Sequence, residues 1–113
     1  MTSHALRLRQ TDTGIFEEVR SGLKSIETRA GTPRHQNIKV GDELIFVCGK
    51  NRFSKKVTKI YHWPSVDGMV KEIPFKKVMP SISSIEEMKK IYNSYPNYTE
   101  KIKEFGLLGF VLV

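Results

Sequence analysis

Hydrophobic and polar positions alternate over His4-Ala5-Leu6-Arg7-Leu8-Arg9, the period of a half-buried strand. The period then changes. Ile15, Phe16 and Val19 share one face of a helix that Asp12 or Thr13 can cap, with Glu17 and Glu18 early, Arg20 late and Gly22 as its stop. A short strand is predicted over Lys24 to Arg29, followed by a loop from Ala30 to Lys39. Gly41-Asp42 is a turn, Glu43 to Cys48 reads as a buried strand, and Gly49 to Arg52 connects it to an alternating strand over Lys55 to His62. The stretch from Trp63 to Pro80 is broken by Pro64, Gly68 and Pro74, leaving room for a short helix around Val66 to Lys71.

Ser84-Ile85-Glu86-Glu87 forms a capping box, and Ile85, Met88, Ile91, Tyr92 and Tyr95 continue as an apolar helical face until Pro96. A further helical turn or two spans Thr99 to Phe105, Gly106 closes it, and Leu107 to Val113 is a densely apolar strand. Five or six short strands, with one helix after the first and another before the last, predict an α+β fold built on a small β-barrel. With 113 residues and no repeat or linker, the chain reads as one domain, residues 1–113.

Composition narrows the setting. No apolar run approaches the ~20 residues of a bilayer span, and the first residues lack the basic-then-apolar pattern of a secretory signal. The expectation is a cytoplasmic monomer without membrane contact. Cys48 is the single cysteine, and His4, His35 and His62 lack ligand spacing, so neither disulfide, metal nor cofactor is expected. Cys48 and Trp63 read as core, and no P-loop is present because Leu23 separates Gly22 from Lys24.

Charge adds a partner class. The formal net charge is +7, and Lys50, Arg52, Lys55, Lys56 and Lys59 fall within ten residues that contain no acid. Such a cluster suits phosphate contact with a nucleic-acid backbone, and equally suits a solubilising strand edge.

The candidate chemistry lies in Gly22-Leu23-Lys24-Ser25-Ile26-Glu27-Thr28-Arg29. On a strand Glu27 and Arg29 point to one face and Thr28 to the other, while Lys24 reaches in from the preceding turn. The order Gly-x-Lys-x-x-Glu-x-Arg resembles the signature of the ASCH family, small domains related to the PUA fold. Ile38 to Phe46 with its Gly-Asp turn, the strand Val57 to Tyr61, and Met79-Pro80 with the capped helix Ser84 to Tyr95 extend the resemblance.

The resemblance implies a PUA-like barrel with a cleft around Lys24, Ser25, Glu27 and Arg29, which handles RNA or nucleotide-like ligands. Arg34 and His35 can close over that cleft, and Tyr92 or Tyr95 can supply a stacking platform. It also implies an alternative, since a subset of the family resembles amidohydrolases acting on acetylated cytidine. Lys24 and Glu27 would then be the acid–base pair. That subset carries a nucleophilic threonine where this chain has Glu27, and a carboxylate beside an amine favours the ammonium, the wrong form for a general base. Glu27 can accept hydrogen bonds from a base or ribose, and Arg29 can grip a phosphate. A regulatory protein-interaction domain is the third alternative.

Overall fold

One long strand, β4 (Asn51–Trp63), organises the sheet. In the computed structural model, which describes residues 1–113, the alternating run after Gly49 extends well past its predicted bounds, over 13 residues from Asn51 to Trp63. Its first half pairs antiparallel with β3 (Glu43–Cys48) and its second half with β5 (Leu107–Leu112). The register shifts between Val57 and Lys59, a bulge of the kind that bends a strand and increases its twist. β1 (Ser3–Leu8) lies parallel to β3, and β2 (Ile26–Ala30) lies antiparallel to β5.

The resulting order is β1-β3-β4-β5-β2. The α+β, barrel-like architecture read from the sequence holds, with one qualification. The terminal strands β1 and β2 do not pair, so the sheet curls into a half-barrel with an open seam.

Period-two alternation divides the interior into two cores. Leu108, Phe110 and Leu112 of β5 face one cluster, with Leu6, Phe46, Val57 and, from α1 (Thr13–Ser21), Phe16 and Val19. Leu107 faces the other, with Ile26, Trp63 and the apolar residues of the helical segments that follow β4. These are α3 (Val66–Glu72), α4 (Ile85–Ser94) and α5 (Tyr98–Phe105). The stretch after Trp63 that reads as irregular therefore supplies core, through Met69, Ile73 and Val78. Cys48 and Trp63 are buried, as their apolar surroundings predict.

Several local expectations are corrected. β2 begins at Ile26 because the N–H groups of Lys24 and Ser25 are bound to Glu18 and Lys77 carbonyls instead of joining the ladder. The loop after β2 contains α2 (Pro33–Gln36), a single turn started by Pro33. Asp12 does not cap α1, since its carboxylate takes the Arg9 guanidinium at 2.9 and 3.3 Å. Ser84 does cap α4, accepting from the Glu87 N–H, while the Glu87 carboxylate turns to Ser83. Gly22 ends α1 at φ 88°, a left-handed conformation that glycine adopts without a Cβ penalty. No helix is long and apolar enough to cross a membrane.

Candidate functional site

The seam between β1 and β2 is occupied by a cavity of about 310 Å³. Arg7 and Leu8 close it from the end of β1, with Arg9 and Asp12 just beyond. Glu27, Thr28 and Arg29 close it from β2, Ile15 and Glu18 from α1, and Tyr92, Tyr95 and Tyr98 from α4 and the start of α5.

Lys24 reaches this cavity because Gly22 turns the chain sharply out of α1. Its ammonium donates to the Val78 carbonyl at 2.5 Å and lies 3.4 Å from Glu27 Oε1. Glu27 Oε1 also accepts from the Thr28 N–H at 3.1 Å, and Oε2 accepts from Arg29 Nη2 at 3.2 Å. Glu27 and Arg29 share one face of the strand, as their spacing predicts. Lys24 and Glu27 are each only 5% exposed. Burial pushes the Glu27 carboxyl up, but the charges and hydrogen bonds of Lys24 and Arg29 outweigh it and hold the group below its ordinary range.

A second array meets the first from the helical side. Thr28 Oγ1 and the Tyr92 hydroxyl are 2.5 Å apart, and the Tyr98 hydroxyl accepts from the Ala30 N–H at 2.8 Å. The Tyr92 and Tyr98 rings lie parallel at 6.0 Å, and Tyr95 meets Tyr98 edge-on at 5.4 Å. The Arg9 guanidinium lies 5.7 Å from the centroid of Tyr95. Burial pushes the ionisation of all three phenols to higher pH, so each is neutral and can donate a proton.

Of the residues singled out from the sequence, Lys24, Glu27, Arg29 and Tyr92 converge on the cavity. Ser25 and Arg34 do not. Ser25 is held by backbone bonds to Lys77 and Leu112. Arg34 sits on α2 and donates to the Ala5 carbonyl at 3.3 Å, while His35 Nδ1 lies 3.1 Å from the Ala30 carbonyl. Lys50, Arg52, Lys55 and Lys56 lie on the β3–β4 hairpin, Lys59 lies further along β4 opposite Val111 of β5, and none lines the cavity. Lys59 covers the Tyr61 ring at 4.5 Å.

Four contributors escape sequence reasoning, one of them Tyr98, which precedes the helix predicted from Thr99. Arg7 and Arg9 read as the polar half of an alternating strand, and only the long-range pairing of β1 with β3 carries them to the seam. Alternation assigns Thr28 to the face away from Glu27, and it does face Tyr92. It still borders the cavity, because β2 is a terminal strand and side chains from both of its faces reach round the free edge.

The arrangement is a better grip than a reactor. Lys24 donates to the Val78 carbonyl and pairs with Glu27, while the two cations hold the Glu27 carboxyl low and so make it a weak proton acceptor. The Thr28 hydroxyl pairs with a phenol instead of a base that would activate it. No three His, Cys, Asp or Glu side chains converge as a metal site.

The whole architecture recurs in solved structures. The crystal structure of the hypothetical protein PH0355, from Pyrococcus, matches with a TM-score of 0.84 and 28% identity, covering 99% of this chain and 97% of that one. The solution structure of protein PF0455 from Pyrococcus furiosus matches with a TM-score of 0.78 and 25% identity, covering 98% of this chain and 96% of that one. Neither name states an activity. No protein-family model and no curated protein matches the sequence.

Proposed function

We propose that this chain is an ASCH-type, PUA-like domain that binds a nucleotide-like ligand, free or at an RNA end, in the cavity between β1 and β2. The observation that carries the reading is the convergence of the Lys24–Glu27–Arg29 cluster with the three tyrosines on one cavity. At about 310 Å³ the cavity sits at the lower end of the range for small-molecule sites. Its aromatic wall suits a planar base, and Arg29 with Glu27 supplies a donor and an acceptor for polar edges. The basic hairpin lies outside the cavity and serves, on this reading, as a separate surface for backbone phosphates.

Hydrolysis of an acetylated nucleoside receives no comparable support. It requires a base and an activated nucleophile, and the side chains in position for those roles are engaged as a donor, an ion-paired carboxylate and a phenol-bound hydroxyl.

Amide chemical shifts followed during titration with ribonucleoside 5′-monophosphates, and with a short single-stranded RNA, test the proposal. The expected result is perturbation of Lys24 to Ala30 and Tyr92 to Tyr98 by both. Perturbation confined to the basic stretch from Lys50 to Lys59, or none at all, would contradict it.

A further inference from the structure

The cavity is lined by four cations, Arg7, Arg9, Lys24 and Arg29, and three carboxylates, Asp12, Glu18 and Glu27. Asp12 is taken by Arg9. Glu18 accepts from the Ser81 hydroxyl at the opposite wall. Glu27 pairs with both Lys24 and Arg29, and the lining as a whole carries four positive charges against three negative.

The unused hydrogen-bonding capacity points the same way. Arg29 makes a single side-chain hydrogen bond, to Glu27, and its other guanidinium N–H groups meet no protein acceptor. The Tyr98 hydroxyl accepts from Ala30 and gives its own proton to no protein atom. Thr28 and Tyr92 share one hydrogen bond between two hydroxyls, so one of their protons is left over. These spare donors belong to β2, α4 and α5, and Tyr98 meets Arg29 in the same cavity lining, its hydroxyl bound to the backbone of the next residue, Ala30. Arg7 is exposed at the rim and forms no ion pair with a protein carboxylate.

We infer that the cavity seats a phosphoryl group against Arg29 and Tyr98, so that the ligand is bound as a phosphate ester and not as a neutral nucleoside. The inference rests on the nucleotide-like reading above and names which part of such a ligand the buried wall recognises. A phosphoryl group supplies negative charge to a lining with one net positive charge, and several acceptor oxygens for donors arriving from separate elements. Toward the phosphoryl group Glu27 acts only through Arg29: it orients one edge of the guanidinium and leaves the other for the ligand. Arg7 adds a contact at the rim.

Calorimetric titration of the whole protein with the four ribonucleoside 5′-monophosphates, the matching nucleosides, ribose 5-phosphate and inorganic phosphate decides the matter. The monophosphates are expected to bind about tenfold or more tightly than their nucleosides, the effect of a charge-assisted hydrogen bond. Arg29→Gln is expected to lower monophosphate affinity by about 10- to 100-fold and nucleoside affinity by clearly less. Arg29→Lys, which keeps the charge beside Glu27 but not the fork, should lose affinity as well, and far-UV circular dichroism checks that both variants are folded. Nucleosides binding as tightly as monophosphates would overturn the phosphoryl seat and leave the nucleotide-like reading standing. Ribose 5-phosphate or inorganic phosphate binding as tightly as every monophosphate would support the seat and overturn recognition of a base. Binding of none of these probes overturns both.

Discussion

The Lys24 ammonium lies 3.4 Å from the Glu27 carboxylate, with both side chains almost wholly shielded from solvent. Arg29 approaches the same carboxylate from the other side at 3.2 Å. A lysine so placed is engaged on both sides, by this carboxylate and by the Val78 carbonyl. Those contacts turn the reading of the octet away from acid–base catalysis and toward recognition.

Removing the shared carboxylate should be the most damaging change in the cluster. Glu27→Ala leaves two cations in the cavity wall without a partner and is expected to cost about 3–5 kcal/mol in urea unfolding. Lys24→Met leaves the Glu27–Arg29 pair in place and should cost clearly less. Equal losses for the two variants, or a loss near zero for Glu27→Ala, would show that the cluster is not electrostatically coupled.

Acid should weaken the fold through Asp42 as well as Glu27. Asp42 accepts from the N–H groups of Thr2 and Lys39 and meets His4 Nε2 at 2.8 Å. The His4 hydrogen bond, then the two backbone bonds, lower its carboxyl from an ordinary 3.8 to about 2. Because the ionised form is favoured on folding, its stabilisation is fully present above 3.8 and is lost as pH falls through about 2. Glu27, lowered from 4.5, acts in the same direction and begins to lose its contribution below that value. Urea midpoints measured between pH 6 and 2 should fall with acid, and Asp42→Asn should flatten the lower part of that slope. An unchanged slope in the variant would show that Asp42 has no part in the acid response.

Gly109 should tolerate no side chain. It sits on β5 opposite Thr28 and Tyr61, and a Cβ there would stand 2.6 Å from the Trp63 ring. Trp63 is fixed by stacking on Tyr61 at 4.9 Å and by donating from Nε1 to Glu72 at 2.6 Å, so it cannot yield freely. Gly109→Ala is expected to destabilise by about 1–3 kcal/mol and to shift the emission of this single tryptophan. Unchanged thermal stability and fluorescence would mean that the indole moves aside without cost.

What the sequence made legible was local. Lys24, Glu27 and Arg29 lie within six residues of one turn and strand, and period two alone predicts the Glu27–Arg29 contact. The helix from Thr13 and the strands at Glu43 and Leu107 follow equally from periodicity and stop signals. What stayed hidden depends on distant partners. Nothing near Arg7 or Arg9 says that β1 will run parallel to β3 and finish beside β2, nor that the sheet will stay open there. The full span of β4 was hidden for a related reason. Asn51 and Arg52 are polar and exposed, and they extend only because Val47 and Cys48 of β3 lie across from them.

The basic hairpin and the cavity should separate experimentally. Changing Lys55, Lys56 and Lys59 together to Gln is expected to leave ribonucleoside monophosphate affinity unchanged, since none of the three lines the cavity. The same variant should flatten the salt dependence of single-stranded RNA binding by about 0.7 in log–log slope for each phosphate that is no longer neutralised. A parallel fall in monophosphate affinity would join the two surfaces into one site.

Nucleotide recognition in the seam is examined without intermediaries by a crystal structure of the protein grown with a ribonucleoside 5′-monophosphate. The ligand is expected between β1 and β2, its base against the tyrosine wall and its polar groups on Arg29 and Glu27. A nucleotide found only on the basic stretch from Lys50 to Lys59, with the seam unchanged, would contradict that assignment.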